Sequence, residues 1–441
     1  MTITGRLARI LSRPVGAAER ERAALHLLDW AGCAVAGRRE AAGQAMERLA
    51  GHPFAAAGTG EVGLSGGFGS LLEMDDVHRA ALLHPGPVVG AVVAAVPGGD
   101  PLAALVRGYE AMIRLGAAVG PGHYAFFHNT SSCGGMGAAA AAASRMALSE
   151  EETVWAMGHA MSMAGGFWQC RHEPVATKHL HVAEAARRGV AAARWAGAGL
   201  AGPATVLEGV QGFFAAVARD GDPEAVVADA DAGWRVHEVS FKPWPACRHA
   251  HPAIDAALAL RGRVAGAVRR VTVETYGDAV KFCDRPAPRT AGEARFSLQH
   301  AVAVTLVEGA PPVGAFEAEA LGRYADLRGR VSVRREAGFD AAYPAHFGAR
   351  VVVETEAGQW AETVADAWGD AENPMAAADV VAKFRRLADW GGVTAAAALR
   401  LERAVLGLAE SRCAEAHPTA TDPMAEVVAA MRAIAAEKDI R

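Results

Sequence analysis

Aromatic residues are scarce in this chain: Phe, Trp and Tyr together account for 6% of its 441 residues, which argues against an aromatic-rich β-sandwich. A basic excess is missing too. The formal net charge is −5 and the pI about 6.4. Nucleic-acid binders need clustered Lys and Arg to neutralise phosphates, so that class is excluded. The six cysteines (Cys33, Cys133, Cys170, Cys247, Cys283, Cys413) form no C-x-x-C pair, the pattern of reduced thiols in a cytoplasmic protein. Long apolar runs are absent. Charge-free stretches such as Gly86–Gly99 fall short of the roughly 20 residues of a membrane-spanning helix. Met1–Arg13 carries Arg6, Arg9 and Arg13 and no apolar core, so it does not read as a secretory signal. The chain holds no Walker A, H-E-x-x-H or G-x-S-x-G string. Gly58-Thr59-Gly60-Glu61-Val62-Gly63 matches G-x-G-x-x-G but follows no strand, which rejects a dinucleotide site.

What the chain does have is length and small residues. It contains 49 glycines, with 51% hydrophobic and 21% charged residues, enough for two or three globular domains without disulfide staples. The first half predicts helices. Ala18–Ala36 opens with a charged start, Glu19–Arg22, ahead of its apolar residues, His84–Val96 is apolar all round, and Gly134–Leu148 is an Ala run punctuated by Gly. Helices lacking a polar face are buried in bundles. Ser149 followed by Glu150, Glu151 and Glu152 predicts an N-cap with acids in the first turn, and His181–Gly197 is a further helix. After about Ala265 the period changes to two, at Arg269–Gly277, Arg330–Arg334 and Ala349–Thr355, with Ser297–Leu306 and Phe316–Leu321 helical between them. Helical patterns return in Ala376–Asp389, Thr394–Leu408 and Met424–Glu437. The expected fold is mainly α with an inserted α+β domain: residues 1–264 with 373–441 form a discontinuous helical domain, and 265–372 a smaller α/β domain.

Polar residues that interrupt apolar stretches carry the chemistry, because a charge among apolar groups is costly unless paired. Five clusters qualify. Glu73, Asp75, Asp76 and His78, then His84, place three carboxylates and two imidazoles before an apolar helix, a set suited to acid–base work or to capping. His123 and His128–Ser132 precede the Ala-rich helix, where small polar groups cap a terminus or bind an anion. Thr177-Lys178-His179-Leu180-His181 offers a cation for a carboxylate. Lys242, Cys247, Arg248, His249 and His251 lie on a proline-stiffened loop that favours a small acidic ligand, with Cys247 also weighed as a nucleophile. The fifth is Phe296-Ser297-Leu298-Gln299-His300. His179, His181, His249 and His251 have no zinc-like spacing, leaving a metal-dependent hydrolase as a minor alternative.

In order, these clusters resemble the MmgE/PrpD family, which includes 2-methylcitrate dehydratase, cis-aconitate decarboxylase and iminodisuccinate epimerase. The resemblance runs from Leu27-Leu28-Asp29-Trp30-Ala31-Gly32 through Met74-Asp75-Asp76-x-His78 with His84-Pro85, and Gly108-Tyr109-Glu110. It continues in Phe127-His128-Asn129-Thr130 and in Lys178-x-x-His181 with Ala185-Ala186-Arg187-Arg188-Gly189. Leu207-Glu208-Gly209, Lys242-x-x-Pro245-x-Cys247, Phe296–His300 and Lys383-Phe384 complete it. The resemblance implies a large helical domain with a smaller α/β lid, a site between the two, no redox cofactor and no metal, and a homodimer. It implies that Asp76, His84, His128, His300 and Cys247 are catalytic-site residues. Lys178, Lys242, Glu73, His78 and His181 are implied to bind substrate, the two lysines holding its carboxylates. The chain departs from the pattern at Glu73 (often Asp), Val77 (often Thr), His300 (commonly Tyr) and Cys247 (His in some decarboxylases).

The implied function is a cofactor-free lyase of the dehydratase type acting on a small di- or tricarboxylate. An iminodisuccinate-like epimerase, a cis-aconitate-like decarboxylase and a non-catalytic carboxylate binder are the alternatives. Removing a proton α to a carboxylate creates an enolate-like dianion. Lys178 and Lys242 are expected to stabilise it, with His84 and Asp76 as the proton-shuttling pair. Lys178, Lys242, Arg248 and several histidines are expected to form a basic pocket. The partners expected are that small substrate and a second copy, with neither nucleic acid nor membrane.

Overall fold

The computed structural model describes residues 1–50, 60–410 and 422–438. Cys413, and Gly58-Thr59 of the rejected glycine string, lie outside the described residues. In chain order the longer helices begin with α1 (Ile3–Leu11), α2 (Ala17–Gly37), α3 (Ala41–Ala50), α4 (Gly60–Ser70), α5 (Pro85–Ala95) and α6 (Pro101–Ala118). Then come α7 (Gly134–Arg145), α8 (Glu150–Ser162), α9 (Thr177–Gly197) and α10 (His251–Arg261). The strands β1 (Val268–Thr275), β2 (Val331–Arg335), β3 (Ala349–Thr355) and β4 (Gln359–Val364) come next, with α11 (Leu298–Glu308) between the first two. The chain closes with α12 (Ala377–Trp390), α13 (Ala395–Glu410) and α14 (Ala425–Lys438). The fold is mainly helical with one small mixed sheet.

The chain divides into two compact units, one of Met1–Leu71, Asp75–Val239 and Ala377–Arg441, the other of Leu72–Met74 and Ser240–Ala376. In the larger unit α2 is central, packing on α4, α12 and α13, while α7 packs between α6 and α9. The core gathers Leu27, Trp30, Val88, Val92, Leu105 and Met112. Small residues set how closely the helices approach. A Cβ at Gly137 on α7 would stand 2.6 Å from the Gly108 carbonyl oxygen on α6, and one at Gly108 2.9 Å from that of Gly137. Any side chain at this crossing would force the two backbones apart. The cap at α8 forms as expected: the Ser149 hydroxyl accepts from Glu152 N–H at 3.2 Å, and the Glu152 carboxylate accepts from Ser149 N–H at 2.8 Å.

In the smaller unit the strand order is β2-β1-β3-β4. β1 and β2 run parallel, while β1–β3 and β3–β4 are antiparallel. Val271, Val273, Val351 and Val353 form the buried face. β4 departs from expectation. Gln359–Val364 is an edge strand of half-buried residues whose exposure barely alternates, so its sequence carries no period-two signal. Phe316–Leu321, expected to be helical, forms 3₁₀ turns. The smaller unit also reaches back to Ser240, upstream of the change in period near Ala265. The cause is α10, helical in pattern but packed on α11, β3 and β4. Among the described residues no helix is long and apolar enough to cross a membrane.

Candidate active site

From Asp75 onward, the segment after α4 builds a polar cluster within the larger unit. Asp76 is buried, and its carboxylate is engaged by three donors. The Tyr109 hydroxyl donates to Oδ2 at 2.6 Å, His26 Nδ1 lies 2.7 Å from Oδ2, and Gly86 N–H donates to Oδ1 at 2.7 Å. Burial lowers His26 to a pKa of about 4, against the pull of Asp76. Burial, with Asp76 beside it, raises Tyr109 well above the usual phenol range. Asp76 therefore ties the start of α5 to α2 and α6, and the expected pairing of its carboxylate with His84 does not occur.

The partner of His84 is Asp75. His84 Nδ1 lies 3.1 Å from the Asp75 carboxylate and 2.9 Å from the Asp76 carbonyl oxygen. The intervening loop folds back on itself through the His78–Leu83 bridge, with His78 N–H donating to Leu83 O at 2.9 Å. Pro85 then opens α5, so that His84 stands at the N-cap. His78 closes this loop. Its Nδ1 accepts from Ala81 N–H at 3.1 Å and its Nε2 lies 2.9 Å from Glu238. Both ring nitrogens are thus committed, which removes His78 from the expected substrate-binding set.

His128, Lys178 and His181 gather beside His84. The Thr130 hydroxyl accepts from His84 N–H at 3.1 Å, joining the two loops. His128 Nδ1 lies 3.4 Å from His181 Nδ1, and the Trp168 ring covers His128 with centroids 4.5 Å apart. Burial, then the Lys178 ammonium and the His181, His84 and His179 rings, push His128 well below the usual histidine range. Burial and Lys178 likewise lower His181. Helix α9 starts at Thr177, four residues before the expected start, so Lys178 and His181 share a face of its first turn. His179 instead meets the Ser70 hydroxyl at 3.0 Å.

The smaller unit holds a second set. Lys242 is fully buried, with Nζ 3.8 Å from the Glu73 carboxylate. Glu73 sits at φ +53°, a left-handed backbone that non-glycine residues adopt at a cost. Burial raises the Cys283 thiol well above its usual range, aided by neighbouring Cys247 and Glu73 and opposed by Arg285. Lys242, Glu73 and Cys247 therefore belong to one neighbourhood. Arg248, expected in a basic pocket, is engaged by its own unit. It is buried, pairs with Asp370 at 2.5 Å and donates to the Phe241, Ala367 and Trp368 carbonyl oxygens. His251 Nε2 meets Ala246 O at 3.0 Å, and His249 meets the Tyr276 hydroxyl at 2.6 Å, so neither joins the metal set weighed from sequence. His300 is also locked: Nε2 faces Ala315 O at 2.9 Å and Nδ1 accepts from Arg328 at 3.3 Å. Burial lowers it to about 4. With both ring nitrogens engaged by Ala315 and Arg328, His300 differs from His84, and the contacts seen here do not bring it to the His84 cluster where its catalytic place was expected. Among the described residues, three donors with metal-like proximity occur at His346, Asp366 and Glu372, on the surface and outside every cluster read from sequence.

Sequence reasoning missed a buried polar group in the larger unit. Lys383 Nζ pairs with Asp29 Oδ1 at 2.5 Å, both inaccessible. Burial, with Asp75 and Asp76 nearby, raises Asp29 to about 6 against the pull of Lys383. Burial opposes the Lys383 charge, but Asp29, Cys33 and Asp75 outweigh it and hold the ammonium above its usual range. The signal was available in His26 and Asp29, set three apart in the apolar stretch that follows the charged start of α2, and in Lys383, which like Asp29 stands in a stretch that carries the family resemblance.

A mainly helical fold carrying a buried carboxylate, imidazole and lysine cluster defines the class. The chain belongs to the MmgE/PrpD family: the family's N-terminal domain matches residues 10–226 and its C-terminal domain residues 244–408. It is 28% identical over 385 residues to the cis-aconitate decarboxylase-like protein oryM of Aspergillus oryzae, covering 79% of each chain. It is 31% identical over 200 residues to cis-aconitate decarboxylase of Homo sapiens, and 30% over 208 residues to that of Mus musculus. These two matches span 43% and 45% of this chain and 40% and 42% of the relatives' own length.

Proposed function

We propose that the protein is a lyase of the dehydratase type acting on a small di- or tricarboxylate. The observation that carries the reading is the His84–Asp75 pair beside His128, Lys178 and His181, a half-buried base and cation in one cluster. In the proposed step His84 removes a proton from the carbon next to a carboxylate. The C–H electrons form a C=C bond as the C–O bond breaks, and the departing hydroxide leaves as water by taking a proton from solvent, to which His84 then returns the proton it removed. Lys178 stabilises the dianion where its charge develops. We also give Lys242, in the smaller unit, a carboxylate-binding role, with Glu73 tempering its charge and Cys247 lining its surroundings. The chemistry is proton transfer and charge stabilisation, which side chains can perform unaided.

Decarboxylation of a cis-aconitate-like acid is the second reading, favoured by the Aspergillus relative that aligns over 79% of the chain. The same base and lysines would protonate the carbanion left by CO2 loss. Proton exchange in D2O with a panel of malate, citrate, 2-methylcitrate, cis-aconitate and iminodisuccinate tests both. One acid should exchange its α proton, and Lys178→Ala should lower kcat/KM about 10²-fold or more. Exchange with none of the acids, or full turnover by Lys178→Ala, overturns the reading. Exchange without elimination or CO2 release points to the epimerase. We also infer a homodimer in the cytoplasm; light scattering of the purified protein checks the dimer.

A further inference from the structure

We propose that Asp75 is the positioning residue of His84: it holds the ring so that Nε2 is the reacting nitrogen, and it faces the imidazolium formed when Nε2 takes a proton. This deepens the acid–base reading above and rests on it.

The geometry selects one tautomer of the neutral ring. His84 Nδ1 lies 2.9 Å from the Asp76 backbone carbonyl, which can only accept, and 3.1 Å from the Asp75 carboxylate. Nδ1 therefore carries the proton of the neutral ring, and the lone pair sits on Nε2. Among the described residues Nε2 has no hydrogen-bond partner, and the side chain keeps 16% of its surface open. A ring held by its far nitrogen, with the other nitrogen open, is the arrangement a general base requires.

Asp75 is built for this task and Asp76 is not. The Asp76 carboxylate is consumed by His26, Tyr109 and Gly86 on the helices behind it. Asp75 turns toward His84 and lies within the field of Lys383 and Asp29, buried on α12 and α2. On the other side His84 faces His128, which shares the fields of Lys178, His181 and His179. The imidazolium would thus meet a cationic side at Lys178 and an anionic side at Asp75. Removing that anion leaves the developing charge facing like charge.

The test uses the full chain. In 15N-histidine spectra of the resting enzyme, which need no substrate, His84 should show the Nδ1–H tautomer; an Nε2–H tautomer overturns the inference. With the acid that exchanges best, Asp75→Asn should lower kcat about 10²–10⁴-fold with KM changed less than about 3-fold, and should move the acid limb of the kcat–pH profile to lower pH. Asp75→Glu, which restores the charge, should recover part of the loss. Because Asp75 acts through His84, adding Asp75→Asn to His84→Ala should cost less than about 2-fold more. Unchanged kcat in Asp75→Asn, a loss confined to KM, or a further loss of about 10-fold in the double variant would each overturn it. Wild-type turnover by His84→Ala sinks the acid–base reading and this inference together. An inactive His84→Ala beside an unimpaired Asp75→Asn sinks this inference alone.

Discussion

Asp75 and Asp76 are neighbours of one chemical type with opposite tasks. Their sequence shows two carboxylates before an apolar helix and cannot say which one faces an imidazole. Backbone direction separates them: one side chain enters the helical core and the other turns to His84. The same blindness applies to His78, His84, His128 and His300. All four are buried or nearly so, but His78 and His300 have both ring nitrogens engaged and His84 has one open. Asp76→Ala should therefore act on folding. It strands the Tyr109 hydroxyl, the Gly86 N–H and the His26 ring in the core, a loss of about 3–5 kcal/mol in urea denaturation. A loss under about 1 kcal/mol would show that Asp76 does not hold these helices together.

Helix α7 explains the abundance of small residues. Its glycines and alanines look featureless along the chain, and their meaning lies in what crosses them. Gly137 meets the Gly108 carbonyl, so Gly137→Ala should destabilise by about 1–3 kcal/mol despite the higher helix propensity of Ala. Thermal unfolding measures this, and a raised Tm would mean that the crossing has slack. Helices α5 and α7 were legible as apolar and Ala-rich runs, α2 and α8 by their charged or capped starts, and the strands β1, β2 and β3 by alternation in their sequence. Edge strand β4 and the 3₁₀ turns near Phe316 were not, since half-buried residues leave no pattern. The first turn of α9 was hidden because Lys178, His179 and His181 look like a polar loop until their shared face is seen.

Stability of the entire fold should depend on pH through its buried imidazoles. Burial holds His26 and His300 at about 4 and His128 well below its usual range, whereas in the unfolded chain each titrates near 6.5. Between these values the unfolded chain binds more protons, so acidification favours it. Asp29 works in the other direction. Raised to about 6, it is protonated in the folded chain at pH values where the unfolded chain has released the proton, and that contribution is lost as pH rises through 6. Three imidazoles outweigh one carboxyl, so Tm should fall steadily from about pH 6.5 toward about pH 4.5. A Tm that is flat or rising over that window would mean that these histidines are accessible to protons in the folded state.

Periodicity and composition are local properties, and the sequence alone determined their consequences: a helical majority, a β-containing segment after residue 265, and a family signature spread along the chain. Only the tertiary structure decided which polar groups meet. It paired His84 with Asp75, joined Asp29 to the sequence-distant Lys383, and withdrew Arg248 and His300 into structural contacts. The reason is physical. A buried charge is stabilised by the partner that packing brings within about 3 Å, and that distance is a property of the folded chain.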